Sequence, residues 1–214
     1  GADGKVTGGK FATTGKYTLI GQNIQDGTSG EEKYVGFVGG TDKDTDIMLS
    51  DKATADGALK PTVNLNFHHI LAKLNVAVKT VSGFTSDIIV KNITITGLDD
   101  SGEYTDAAGW TSSSVDAGYK LQYDNATGVE LSDKATYFIE SLVMPQEMGG
   151  KLTLVYEISS GSYTETYTYV VDIEDVYSTY ASFEKESNYT ITFTIDPTND
   201  AIKFDANVAT WKEK

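Results

Sequence analysis

Tyr189-Thr190-Ile191-Thr192-Phe193-Thr194-Ile195 carries a large apolar side chain at every odd position and a threonine at every even one. Successive side chains of an extended strand point to opposite faces, so this stretch has one face for a core and one for water. Leu152, Leu154, Tyr156 and Ile158 repeat the rhythm, with Lys151, Thr153 and Glu157 on the other side. Further strands are expected over 88–96, around 119–123, and over 135–144, 151–158, 163–171, 189–195 and 202–208. Gly149-Gly150 and Gly161 stand where hairpins are expected to turn. Residues 172–183 have a weak 3.6-residue period among several β-formers and read as a loop or a short helical turn. Strands at this spacing, with almost no amphipathic helix, predict an all-β chain and a β-sandwich in preference to an α/β fold.

The rhythm changes phase once. Val63, Leu65 and Phe67 fall on odd positions, whereas Ile70, Ala72, Leu74, Val76 and Val78 fall on even ones. A slip of one residue moves every side chain to the other face, so a bulge or a crossing between sheets is expected near His68-His69. Upstream, residues 1–60 are rich in Gly, Asp, Thr and Lys. Their apolar runs, Tyr17-Thr18-Leu19-Ile20, Tyr34-Val35-Gly36-Phe37-Val38 and Ile47-Met48-Leu49, are short, and Asp26-Gly27 and Gly39-Gly40 signal turns. This segment reads as brief strands within long loops, either an N-terminal extension or a partial, reduced β domain. Residues 61–214 read as the main β-sandwich domain.

The 214 residues suffice for one large β domain or two small ones. Thirteen Tyr, eight Phe and two Trp supply much apolar area in few positions, so aromatic burial is expected to carry much of the core. The formal charge of −14 repels phosphate backbones and anionic lipid headgroups, which argues against nucleic acid and bare membrane as partners. Every basic residue is lysine, so no guanidinium fork is available for bidentate clamping. The absence of cysteine removes disulfides, thiol nucleophiles, iron–sulfur clusters and thiolate zinc sites together. No run approaches the ~18 apolar residues of a membrane span. An export signal, and any lipid-bearing cysteine, are expected to have preceded residue 1.

Residues able to carry chemistry are few. His68 and His69 are adjacent, so on a strand they face opposite sides and cannot share one ion; a histidine at a bulge bonded to backbone is the favoured reading. Asp42, Asp44 and Asp46 set three carboxylates at alternate positions, as at the start of a calcium loop. Ile47 and Ala53 occupy the places of the glycine and bidentate glutamate of an EF-hand, which favours a solvated acidic loop. Asp99-Asp100-Ser101-Gly102 reads as a hairpin turn. Thr7-Gly8-Gly9-Lys10 falls short of a phosphate-binding loop, with Phe11 after the lysine. No nucleophile elbow or facing carboxylate pair can be singled out. No catalytic, cofactor-binding or metal-ligating residue is assigned, no cofactor is expected, and the chain does not read as an enzyme. Tyr104, Trp110, Tyr119 and Tyr123 in a loop-rich stretch offer a stacking platform for a sugar ring, against the more common fate of core packing. Asn92-Ile93-Thr94, Asn125-Ala126-Thr127 and Asn188-Tyr189-Thr190 match the N-glycosylation pattern by chance in a threonine-rich chain.

Phe67-His68-His69-Ile70-Leu71-Ala72-Lys73-Leu74-Asn75-Val76 resembles the fimbrillin-like proteins of Bacteroidetes surfaces, which carry a similar run of an aromatic, a histidine and a Leu-Ala-Lys-like strand. Asp46-Ile47-Met48-Leu49, Val143-Met144-Pro145-Gln146, Ser187-Asn188-Tyr189-Thr190-Ile191 and Val208-Ala209-Thr210-Trp211 fall in the same order as in that family. The resemblance implies a transthyretin-like antiparallel β-sandwich, export as a lipoprotein, and fimbrial assembly or display at the outer membrane. A non-enzymatic adhesion protein is the expected role, a pilin-like subunit or fimbria-associated lipoprotein. Its expected partners are other fimbrial subunits or host and bacterial surface ligands, with membrane attachment only through a lipid anchor outside these residues. A sandwich leaves edges or a groove at which an extended segment can pair, so strand addition is the expected mode of assembly. The alternative is a glycan-binding surface lipoprotein.

Overall fold

The computed structural model describes residues 14–15, 24–25, 33–38, 46–50, 53–54, 67–105, 108–114, 119–198 and 201–211. The strands in chain order are β1 (Thr14–Gly15), β2 (Ile24–Gln25), β3 (Lys33–Val38), β4 (Met48–Ser50), β5 (Ala53–Thr54), β6 (Phe67–His69), β7 (Ala72–Thr80) and β8 (Asp87–Thr96). They continue as β9 (Ser101–Thr105), β10 (Gly109–Ser114), β11 (Lys120–Glu130), β12 (Thr136–Val143), β13 (Lys151–Ser160), β14 (Tyr163–Asp172), β15 (Ser187–Asp196) and β16 (Ala201–Thr210). One helical turn, α1 (Ile173–Val176), stands where the weak helical period fell. The run at 17–20, the turns at 26–27 and 39–40, and Val63 and Leu65 lie outside the described residues.

Two four-stranded sheets hold the main core. The first has the order β11-β8-β13-β14 and is antiparallel throughout; the second has the order β12-β7-β15-β16. Their apolar rows meet: Leu74 and Val76 of β7, Ile93 and Ile95 of β8, Leu152 and Leu154 of β13, and Ile191 and Phe193 of β15 belong to one buried cluster. Tyr177, Tyr189, Phe183 and Phe193 are among its largest fully buried side chains, so aromatic rings do carry much of this core. Ring edges meet ring faces there, with Tyr189 perpendicular to Tyr177 at 5.4 Å and near-perpendicular to Phe183 at 5.0 Å.

The phase change near His68-His69 is a crossing between sheets. β6 pairs with β4 in a two-stranded ladder, and after Ile70 and Leu71 the chain enters the second four-stranded sheet as β7. Ile70 and Leu71 do not follow either ladder and are buried in a second, smaller core with Ile47, Tyr104, Leu142 and Met144. That core lies beside a third sheet of order β10-β9-β3-β2, and β1 pairs with β5.

Four expectations need correction. The antiparallel pattern fails at one pair, since β15 runs parallel to β7 from Asn188 opposite Lys73 to Ile195 opposite Thr80. Parallel neighbours require a long connection, and here the chain builds the whole other sheet between them. Gly149-Gly150 does not turn a hairpin, because β12 and β13 lie in different sheets. Gly150 is needed there for its φ of +94° and because a Cβ would stand 3.0 Å from the Thr96 carbonyl oxygen. Ser101-Gly102 is not a turn but the start of β9, where Gly102 lets Met144 Sδ pack against the backbone. Finally, the strand placed around 119–123 runs on to Glu130 through a break in register between Asp124 and Val129.

Burial leaves a mark on several phenols. The hydroxyls of Tyr119, Tyr123 and Tyr177 are buried without a hydrogen-bond partner among the described residues. Burial pushes Tyr119 up to about 12, with the charge of Asp100 adding to it, and drives Tyr177 upward as well. A phenol whose folded pKa lies above its unfolded value of about 10 contributes stability in full below pH 10, and loses it as pH rises through the folded value. Stability is therefore expected to fall between about pH 10 and 12. Phenolate absorbance should show these tyrosines titrating late and together with unfolding; complete titration near pH 10 in the folded protein would contradict this.

Candidate functional site

The two main sheets have four edge strands, and their edges differ. β11 is broken between Asp124 and Val129, and β12 between Tyr137 and Ile139. The break in β11 is built in: the Asn125 side-chain oxygen accepts from the N–H groups of Thr127 and Gly128 (3.0 and 3.2 Å), and Lys91 Nζ donates to the carbonyls of Ala126 and Thr127 (3.1 and 3.3 Å). Gly128 has φ +78°, and a Cβ there would collide with Ile89 Cγ2 and lie 2.8 Å from the Val90 oxygen. Gly128→Ala is expected to destabilise the chain by about 1–3 kcal/mol, read as a lower urea midpoint. Bulges of this kind stop an edge from pairing further.

The opposite edges are regular. β14 pairs with β13 from Ser160 opposite Tyr163 to Lys151 opposite Asp172, and β16 pairs with β15 from Ser187 opposite Thr210 to Asp196 opposite Ala201, neither with a register break. β11 and β12 touch one another, whereas no comparable contact joins β14 and β16 among the described residues. The result is a closed side and an open seam.

Register places Val171, Tyr169, Tyr167, Glu165 and Tyr163 of β14 on the inward row, because they oppose the core-facing positions of β13. Ile202, Phe204, Ala206 and Val208 of β16 form the facing row by the same reasoning. α1 follows β14 directly and touches both edge strands, covering one end. Toward the other end cover is lost: Tyr163 is 63% exposed and Phe204 40% exposed although both point inward. A cavity of about 370 Å³ opens there, lined by Tyr156, Ile158, Tyr167, Tyr169, Ile195 and Ile202 among others. Tyr167 stacks on Tyr156 at 5.3 Å and 13°, and its hydroxyl donates to Glu165 Oε2 at 2.8 Å. That bond to a carboxylate holds the Tyr167 proton up to about 12. Tyr163 donates to the same oxygen at 3.3 Å, so two phenols satisfy the one charged side chain of the row.

The residues singled out in the sequence lie elsewhere. His68 and His69 do face opposite sides, the first exposed and the second buried. Both meet carboxylates, which the bulge reading did not anticipate: His68 Nδ1 is 2.8 Å from Glu186 Oε1, and His69 Nδ1 is 2.7 Å from Asp46 Oδ2. Sequence spacing gave no sign of either pairing. Asp42 and Asp44 lie outside the described residues, and among the described residues no group of three potential ligands could hold a metal ion. The four aromatics do not form one platform. Tyr104 and Trp110 meet edge to face at 5.7 Å beside the smaller core, where Trp110 Nε1 donates to the Ile70 oxygen at 2.6 Å; Tyr119 and Tyr123 pack against the main core. Asn92, Asn125 and Asn188 accept hydrogen bonds within the fold through their side-chain oxygens.

The described residues thus form an all-β arrangement of several sheets, with one pair of regular edges left open beside the main core. Its sequence matches the fimbrillin-like family over residues 11–211, and the chain belongs to that family. Among solved structures it is similar to a fimbrial protein of Bacteroides vulgatus, with 20% identity over 90% of this chain and 72% of that one and a TM-score of 0.65. It is also similar to a candidate cell adhesion protein of Bacteroides uniformis, with 19% identity over 88% and 69% of the two chains and a TM-score of 0.56. At these identities the likeness is one of fold. No curated protein matches the chain.

Proposed function

We propose that this chain is a non-enzymatic cell-surface adhesion protein, a pilin-like fimbrial subunit or fimbria-associated lipoprotein, which joins other subunits by strand addition at the β14/β16 seam. The observation that carries the reading is the asymmetry of the edges: both strands on one side are bulged, and both on the other are regular and flank uncovered inward side chains. An added strand satisfies the free backbone groups of the edge and lays its alternate side chains into the cavity. Glu165 gives the seam a preference, since the residue laid against it must leave the bonds from Tyr163 and Tyr167 in place or bring a donor of its own. In this reading the two main sheets form a transthyretin-like sandwich. Residues 61–214 are the main domain and 1–60 an extension or partial domain seated on it, a view supported by the pairing of β3 with β9 and of β4 with β6.

Membership of the fimbrillin-like family, with the likeness in fold to a fimbrial protein and a candidate cell adhesion protein, supports a fimbrial or adhesive role at the cell surface. Attachment to the outer membrane is through a lipid anchor outside these residues. Immunogold labelling of intact producing cells tests the placement. Gold on filaments or over the outer surface is expected, and gold appearing only after the cells are broken open would refute it.

A further inference from the structure

We propose that Asp46, His69 and Trp211 form a latch that fixes the C-terminal end of β16, one wall of the seam, to the N-terminal part of the chain. The latch stands on its own contacts; only its consequence for assembly rests on the strand-addition reading. His69 is 6% exposed, its Nδ1 lies 2.7 Å from Asp46 Oδ2, and its ring stacks on Trp211 with centroids 3.9 Å apart and planes 11° from parallel. An imidazole ring bonded through one nitrogen to a carboxylate is held in one orientation. The carboxylate of Asp46 thus sets the plane on which Trp211 rests.

Backbone bonds complete the fastening. Trp211 N–H donates to the Glu186 oxygen at 2.7 Å, and Glu186 N–H donates to the Leu71 oxygen at 3.1 Å. Glu186 has φ +58°, a conformation that a residue with a side chain rarely adopts, and its carboxylate lies 2.8 Å from His68 Nδ1. The two histidines therefore act from opposite faces of β6, His69 on Trp211 through its ring and His68 on Glu186, which receives the Trp211 N–H. Among the described residues β16 is otherwise paired along one side only, with β15, and a terminal strand held on one side frays from its end unless that end is tied. Asp46, two residues before β4, is in this account a positioning residue for the far end of the chain.

The test is hydrogen exchange of the backbone amides at 208–211 in the unassembled protein. Asp46→Ala and Trp211→Ala are each expected to speed exchange there about two- to tenfold, the range that an aromatic contact supports, with amides in the centre of β8 and β13 unchanged. The double variant should exchange no faster than the faster single one, because both changes remove the same coupling. Asp46→Asn, whose side-chain oxygen still accepts from Nδ1–H, should stay close to wild type. Unchanged exchange in Asp46→Ala, a double variant equal to the product of the singles, or an asparagine variant as fast as the alanine one would each overturn the latch. Since exchange is read on the monomer, its failure is distinguishable from a failure of strand addition.

Discussion

Phe193→Ala is expected to lower the stability of the chain by about 3–5 kcal/mol. Phe193 has no measurable exposure, sits on the parallel β7/β15 pair at the middle of the second sheet, and meets Tyr169 of the first sheet edge to face at 6.0 Å. Truncation removes the transfer free energy of a ring and leaves a cavity between two sheets whose backbones are fixed by ladders on either side, so little of the space can collapse. A single domain has a total of about 5–15 kcal/mol, and a loss of this size takes a large share of it. Urea denaturation checks it, with a lower midpoint and an unchanged slope expected. A change below about 1 kcal/mol would mean that the two sheets do not share the core described here.

Phe204→Lys is expected to do the opposite: little to the fold and much to assembly. Phe204 points inward on an edge strand yet is 40% exposed, so a lysine there can reach water and stability should shift by no more than about 1 kcal/mol. Once an added strand covers the seam, that escape closes and the ammonium group loses its water among aromatic and aliphatic side chains, since Glu165 is already bonded by Tyr163 and Tyr167. Assembly should weaken by at least about tenfold, equivalent to ~1.4 kcal/mol. Sedimentation velocity beside a thermal melt reads both quantities. Unimpaired assembly of the lysine variant would remove Phe204, and with it the β16 wall, from the interface.

Much of the main fold was legible because a half-buried strand writes its two faces into alternate residues. Tyr189 to Ile195 and Leu152 to Ile158 placed β15 and β13 on that ground, and the phase change at His68-His69 marked the crossing from β6 to β7. β9 and β10 were missed for a physical reason. Ser101-Gly102-Glu103-Tyr104 and Gly109-Trp110-Thr111-Ser112 hold few apolar residues, because this pair buries a single tyrosine and a half-buried tryptophan beside a small core. The parallel pairing of β7 and β15 left no trace, since the alternation of Leu74, Val76 and Val78 and of Ile191, Phe193 and Ile195 reads alike in either direction. The seam was half legible: Tyr163-Thr164-Glu165-Thr166-Tyr167-Thr168-Tyr169 shows the alternation, but a glutamate on the apolar row is the one sign that this row is uncovered. The carboxylate partners of the histidines come from 23 and 118 residues away, distances over which neighbouring sequence says nothing.

The most direct measurement is hydrogen exchange compared between the monomer and the assembled form, resolved to the four edge strands. If subunits join at the open seam, amides of β14 and β16 gain protection on assembly while those of β11 and β12 exchange as before. Protection that instead appears along β11 and β12, or assembly that leaves β14 and β16 exchanging at monomer rates, would contradict the account.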